Sequence, residues 1–184
     1  MPKTAVVILA EGFEEIEAIG PVDVLRRAGV RAILAGVDGL TVKSSRGVPV
    51  LAEILLKDVK GLPDAAIVPG GLPGATHLAK SAVVGEFLKK MNSDKRLIAA
   101  ICAAPSTVLS PLGILDGKKA TCYPGCETDF APGVRHSADR VVVDGHIITS
   151  QGPGTALEFA IAVTEALAGK EMAGTVRAKM LIGA

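Results

Sequence analysis

Short apolar runs alternate along the chain with longer stretches of helical periodicity. A parallel strand buried on both faces is a continuous hydrophobic run, whereas a helix repeats its apolar positions every three to four residues. We therefore predict strands at 5–9, 31–35, 65–68, 97–101, 141–143 and 147–150, and helices at 14–28, 82–91, 103–109, 156–168 and 171–180. This alternation predicts one α/β domain spanning 1–184, a doubly wound, mostly parallel sheet with helices on both faces.

Caps and turns mark several element ends. Gly29 follows the first predicted helix as a C-terminal cap, and Thr155 precedes the fourth as an N-terminal cap. Asp144 and Gly145 separate the last two strands and tolerate the positive φ angles of a tight turn, so we predict a β-hairpin there.

Composition and charge exclude several classes of protein. Hydrophobic residues make up 49% of the chain, which indicates a folded protein with a large interior. The net charge of +1 and the lack of tryptophan argue against a nucleic-acid partner. The first apolar run is too short for a membrane span or a signal peptide, and three cysteines do not make a disulfide framework. We expect a cytoplasmic protein with no membrane partner.

Four segments follow predicted strands at the sheet edge where ligands bind in such folds. They are 10–17, 69–74, the turn at Cys102, and 151–155. The Pro-Gly-Gly and Gly-Pro-Gly loops in them let backbone amides approach an anionic group, although such residues also make ordinary turns. We predict that the four segments face one pocket.

Cys102 follows an apolar run and opens a turn of small residues. A sharp strand-to-helix turn can hold a nucleophile above a sheet, and a helix N-terminus there would lower the pKa of the thiol. The alternative is a small residue of the core, since free cysteine is among the most buried residue types.

An acid for this thiol comes from the start of the first helix, at Glu14, Glu15 or Glu17. Glu14 and Glu17 share a helix face, whereas Glu15 points elsewhere. A carboxyl group kept protonated by burial can donate a hydrogen bond to a thiolate and shuttle protons in carbonyl chemistry. We favour Glu17, but spacing alone does not choose among the three.

Short motifs follow one another in a fixed order along the chain. They are VILA at 7–10 with Gly12, EEIE at 14–17, PVDVLRRAG at 21–29, Ser45-Arg46, VPGG at 68–71, AAICA at 99–103 and TSQGPGT at 149–155. With these motifs the chain resembles the Parkinsonism-associated deglycase branch of the ThiJ/PfpI superfamily, whose members have a flavodoxin-like fold.

The resemblance implies a role for each matching residue. Cys102 is the reactive cysteine, Glu17 the buried carboxyl beside it, and the amides of Gly71 and Ala103 the donors to an oxyanion. Pro153 and Gly154 line the same pocket, to which we also assign Gly70, Tyr123 and Gly152. Members of the branch are homodimers, which places Glu14, Asp23, Arg27 and Arg46 at or near the subunit boundary.

The chain departs from relatives at two positions. Peptidase-like members carry histidine directly after the nucleophile; Ala103 stands there, so a protease would lack its base. Tyr123 takes the place of a histidine in the Thr-His-Pro segment of animal members, and a phenol is a poor base near neutral pH.

Metal and cofactor motifs are incomplete. Cys122 and Cys126, with His136 further on, resemble part of a zinc site, but the second ligand pair is missing. Pro73 interrupts the glycine pattern that begins at Gly70, and no P-loop occurs. We predict neither a metal nor a cofactor.

Two functions fit the same site. One is a cofactor-independent enzyme of the glyoxalase or deglycase type, acting on small α-oxoaldehydes or their early adducts with amines. The other is a redox-sensing or chaperone protein whose Cys102 is oxidised to a sulfinic acid without turnover.

Overall fold

A seven-stranded sheet lies at the centre of the computed structural model, which describes residues 2–183. Its order is β10-β11-β7-β6-β1-β2-β5, and every pairing is parallel except the antiparallel hairpin of β10 and β11. Short pairs β3–β4 and β8–β9 lie beside it. The strands are β1 Thr4–Leu9, β2 Arg31–Gly36, β3 Thr41–Lys43, β4 Pro49–Leu51, β5 Ile54–Leu55, β6 Ala65–Val68, β7 Leu97–Ile101, β8 Lys119–Ala120, β9 Arg135–His136, β10 Val141–Asp144 and β11 Ile147–Ser150.

Helices cover both faces of the sheet, as the alternation predicts. The α-helices are α1 Glu15–Arg27, α2 Gly74–Lys80, α3 Ala82–Ser93, α4 Ala156–Ala168 and α5 Lys170–Lys179. Along β1, Ala5, Val7 and Leu9 join the core that contains α1, α4 and α5 residues, while Val6 and Ile8 join the core on the other face. Strand β1 is therefore buried on both sides, which explains its uninterrupted apolar sequence.

The predicted helix at 103–109 is wrong in type. A π-helical turn spans Pro105–Leu109 instead. The N–H of Ser110 donates to the carbonyl of Pro105 at 3.0 Å, five residues back, whereas an α-helix spans four.

Other element ends agree with the sequence to within a few residues. Gly29 has a φ of +75° at the end of α1, as a C-terminal cap requires. The hairpin is confirmed, but Asp144 pairs with Ile147, so the turn consists of Gly145 and His146. Thr155 precedes α4 without capping it through its side chain. Within residues 2–183, no helix combines the length and apolar character needed to cross a bilayer.

Candidate active site

Cys102 occupies a sharp turn at the carboxyl end of β7. Its φ is +65°, a left-handed conformation that is rare for a residue with a side chain. Its N–H donates to the carbonyl of Ser150 at 3.0 Å, and its own carbonyl accepts from the N–H of Tyr123 at 2.8 Å. Two neighbouring segments thus fix the turn and leave the thiol partly exposed. This is the geometry of a nucleophile held above a sheet.

The structure chooses Glu17 among the three acids of the first helix. Glu17 is fully buried, and its Oε2 accepts from the N–H of Gly70 at 2.8 Å. Glu14 instead caps α1 by accepting from the N–H of Glu17 at 2.9 Å. Glu15 accepts from the hydroxyl of Ser44 and from the N–H of Arg46. Glu17 is therefore the only one of these three carboxyls that lies inside the protein beside Cys102.

Gly70 is the point of close approach between the acid and the cysteine. A Cβ added there would lie 2.7 Å from the Cβ of Cys102 and 3.0 Å from Oε2 of Glu17. A glycine is thus required for these two groups to face each other across the end of β6.

Burial dominates the protonation of this pair. It raises the pKa of Glu17 to about 7, against the hydrogen bond from Gly70, which lowers the pKa. Burial also raises the pKa of the Cys102 thiol to about 12, and the charge of Glu17 adds to the rise. The prediction that the turn lowers the thiol pKa is wrong for the net shift. The amides of Gly71 and Ala103 do act in the lowering direction, but burial and the carboxylate outweigh them.

Consequently the pair retains one proton above pH 7. That proton resides on sulfur in the resting state, and its transfer to Glu17 gives a thiolate beside a neutral carboxyl without changing the net charge. The amides of Gly71 and Ala103 stabilise the thiolate in this second arrangement. Gly71 itself has a φ of +89°, and an added Cβ would lie 2.5 Å from the backbone nitrogen of Glu14, so no side chain fits.

The remaining predicted pocket residues lie around the same turn. Gly152 is buried, and its N–H donates to the hydroxyl of Thr155 at 3.1 Å. A Cβ added at Gly152 would lie 3.2 Å from the Tyr123 ring. Pro153 and Gly154 begin the 3₁₀ turn that leads into α4. Tyr123 is half-exposed, and its backbone N–H donates to the carbonyl of Cys102.

Sequence reasoning missed the residues that support the Gly152 loop. The hydroxyls of Ser150 and Thr155 are 2.6 Å apart. Arg140 donates to the carbonyl of Gly154 at 2.9 Å and also pairs with Glu158. Ser150 and Thr155 belong to the TSQGPGT motif and could have been found there, whereas nothing in the sequence connects Arg140 to this loop.

The four predicted interface residues divide into two places. Asp23 and Arg27 form an exposed ion pair of 3.0 Å on α1. Glu14 caps the same helix, and the N–H of Arg46, in the adjoining turn, donates to Oε1 of Glu15. The homodimer stays a prediction.

We expect Gly70→Ala to separate the acid from the nucleophile. The new methyl group must displace the Cys102 Cβ or the Glu17 carboxyl, and such overpacking costs about 1–3 kcal/mol. Urea unfolding should show this loss, and the pKa of Glu17, followed by NMR, should move. Gly154→Ala is the matched control because no atom lies within 4 Å of its added Cβ. Equal stability of the two variants would contradict the geometry.

Comparison with known proteins identifies a family and several relatives. The model of the DJ-1/PfpI family matches residues 3–166. The chain is 43% identical to the zebrafish Parkinson disease protein 7 homolog, covering 98% of this chain and 97% of the relative. It is 41% identical to the glutathione-independent glyoxalase DJR-1.2 of Caenorhabditis elegans, covering 92% and 91%.

A solved structure extends the likeness to the backbone. The crystal structure of Drosophila melanogaster DJ-1beta superimposes with a TM-score of 0.96 at 43% identity, covering all of both chains. The family match, the relatives and the flavodoxin-like fold point the same way. This chain belongs to the DJ-1/PfpI family.

Proposed function

We propose that the protein is a cofactor-independent cysteine enzyme that converts small α-oxoaldehydes to hydroxy acids, with methylglyoxal to lactate as the representative reaction. The observation that carries the proposal is the Glu17 carboxyl, which is fully buried beside Cys102. Its Oε2 is held by Gly70, while its Oε1 has no hydrogen-bond partner within residues 2–183. A buried polar atom without a partner destabilises the fold, and a catalytic role is one explanation for its retention.

The first step forms a carbon–sulfur bond. Glu17 accepts the thiol proton, and the sulfur of Cys102 adds to the aldehyde carbon of methylglyoxal. The resulting hemithioacetal oxyanion is stabilised by the amides of Gly71 and Ala103, which already favour negative charge at this turn.

The second step moves a hydrogen between adjacent carbons. Glu17 first gives the thiol proton to the hemithioacetal oxyanion and becomes a carboxylate again. The carboxylate then removes the proton from the former aldehyde carbon and returns it to the neighbouring carbon, while the hydroxyl proton moves to the neighbouring oxygen, which yields a lactoyl thioester. Water then hydrolyses the thioester, releasing lactate and the Cys102 thiol. The first carbon is oxidised and the second reduced, so the reaction needs no external oxidant or reductant. A carboxyl with a pKa of about 7 is suited to this role, because it exchanges protons readily near neutral pH.

The same site supports protection of amines. Early adducts of methylglyoxal with amino groups retain a carbinol that releases the aldehyde, so a thiol that captures α-oxoaldehydes would reverse them. The protein would then act in carbonyl and oxidative stress protection, with a free aldehyde or a glycated amine as its substrate.

Redox sensing is the second candidate. A sulfinic acid on Cys102 would place its oxygens near Glu17, where the unpartnered Oε1 could donate a hydrogen bond once protonated. Such a protein would consume two equivalents of a two-electron oxidant such as peroxide per chain, through a sulfenic acid, and show no turnover.

Lactate production decides between the two candidates. Methylglyoxal is supplied without glutathione in an amine-free buffer, and lactate is measured against protein concentration. We expect many equivalents of lactate per chain from the wild type and from Cys126→Ser, which removes another partly exposed thiol, and none from Cys102→Ser. One equivalent or less from the wild type would overturn the enzyme proposal.

A further inference from the structure

A second cluster of chemically active side chains lies outside the Cys102 site. The Sγ of Cys122, a carboxylate oxygen of Glu127 and a ring nitrogen of His136 all lie within 4.8 Å of one another. Thiolate, imidazole and carboxylate are the three side-chain ligand types of protein zinc sites.

Three separate pieces of local structure bring these residues together. The parallel pairing of β8 with β9 sets His136 opposite Ala120, two residues before Cys122. Gly125, at a φ of +96°, turns the chain into the 3₁₀ turn Cys126–Asp129, which carries Glu127. The Oε2 of Glu127 accepts from the N–H of Gly125 at 2.6 Å, which leaves its other carboxylate oxygen available to bind an ion. Within residues 2–183, the His136 ring makes no recorded hydrogen bond.

From this convergence, the geometry points to a binding site for a zinc-like divalent ion formed by Cys122, Glu127 and His136, with water in the fourth position. Tetrahedral coordination with bonds of about 2.0–2.3 Å places donor atoms less than 4.8 Å apart, so the three side chains would draw together around the ion. Ion binding therefore needs side-chain rotation rather than refolding. The partial zinc site considered from the sequence combined Cys122 with Cys126 and His136. In the structure Glu127, not Cys126, lies with Cys122 and His136.

Local charge supports the same site. The carboxylates of Glu127 and Asp129 lie close enough to Cys122 to act on it electrostatically. Negative charge that disfavours a lone thiolate favours a cation that neutralises it. Cys122 is itself buried and His136 is exposed, so an ion can enter from solvent and be held against the protein.

The ion would also restrain the segment that is hydrogen-bonded to Cys102. Tyr123 follows Cys122 directly, and its N–H holds the carbonyl of Cys102. A bound ion would join the 3₁₀ turn and β9 to this segment, which restrains Tyr123 without contacting the reacting atoms. The site is independent of the proposed aldehyde chemistry, because none of its three ligands belongs to that chemistry.

Zinc binding to the full chain tests the inference. Equilibrium dialysis with Zn²⁺ alone should give one tightly bound ion per chain in the wild type and in Cys102→Ser, which removes the thiol beside Glu17. His136→Gln should weaken binding by at least about tenfold, because even loss of an outer-shell partner costs about 10–100-fold. His77→Gln is the matched control, since this other exposed histidine contacts the Glu11 carbonyl far from the cluster in sequence.

Spectroscopy and stability provide readouts separate from activity. Co²⁺ in place of Zn²⁺ should give thiolate charge-transfer absorption in Cys102→Ser but not when Cys122→Ser is added. Zinc at about a hundred times its Kd should raise Tm by about 5 °C, and His136→Gln should lose this rise. His136 is exposed, so His136→Gln should preserve the fold even if Cys122→Ser, at a buried position, does not. Equal zinc affinity of the two histidine variants, or binding abolished by Cys102→Ser, would overturn the site.

Discussion

Glu17→Gln is expected to lower kcat/KM for methylglyoxal by about 10²–10⁴-fold, the usual contribution of a positioned acid–base group. Glutamine matches the shape of glutamate and can still accept from the N–H of Gly70, so the pocket is retained. It cannot take the thiol proton or carry a proton between the two substrate carbons. Initial rates of lactate formation over a range of methylglyoxal concentrations measure the effect.

The pH profile separates this role from a structural one. Burial raises the pKa of Glu17 to about 7, so wild-type kcat/KM should fall about tenfold per pH unit below 7 as the base becomes protonated. Glu17→Gln should not show this fall in kcat/KM below pH 7. Glu86→Gln, at an exposed position of α3, should keep both the wild-type rate and the fall in kcat/KM below pH 7. A Glu17→Gln enzyme with a rate within threefold of the wild type would exclude Glu17 as the proton carrier.

The sequence predicts the long helices and strands well because their buried positions are occupied by apolar residues. β7, and β1 after Thr4, are apolar throughout because helices cover both faces of the sheet. The helix Gly74–Lys80 was missed because it begins at Gly74 after Pro73, with no side-chain cap, and so resembles a loop. The π-helical turn was missed because its hydrogen bonds reach one residue further than the pattern of apolar positions reveals.

The site is predictable only in part. The resemblance selected Glu17, whereas the spacing of the three acids did not distinguish them. In the structure Glu14 caps its own helix, and Glu15 accepts from Ser44 and Arg46, so neither is free to face Cys102. Ser44 and Arg46 are distant in sequence, which is why the pattern of residues did not reveal these contacts. The sign of the thiol pKa shift was wrong because depth of burial is a property of the assembled fold. Glu127 and His136 meet Cys122 through a two-residue strand pair, which is too short to leave a pattern in the sequence.

The stability of the protein is expected to depend on pH through the same carboxyl. The pKa of Glu17 is about 7 in the folded protein against a usual value of 4.5, so the folded state holds this proton more tightly than the unfolded chain does. The stabilising contribution is complete below about pH 4.5 and is lost as the pH rises through 7. The shift corresponds to about 3 kcal/mol, at 1.36 kcal/mol per unit.

Glu17→Gln removes this titration, so the variant should gain about 3 kcal/mol relative to the wild type between pH 4.5 and pH 8. Urea unfolding of both proteins across this range measures the difference, with Glu86→Gln expected to run parallel to the wild type. Loss of activity together with a gain in stability at pH 8 would show that an ionised carboxyl is kept inside the protein at a cost to folding. Parallel curves for Glu17→Gln and the wild type would mean that Glu17 titrates as an ordinary surface acid, and the proposed proton transfer would lose its basis.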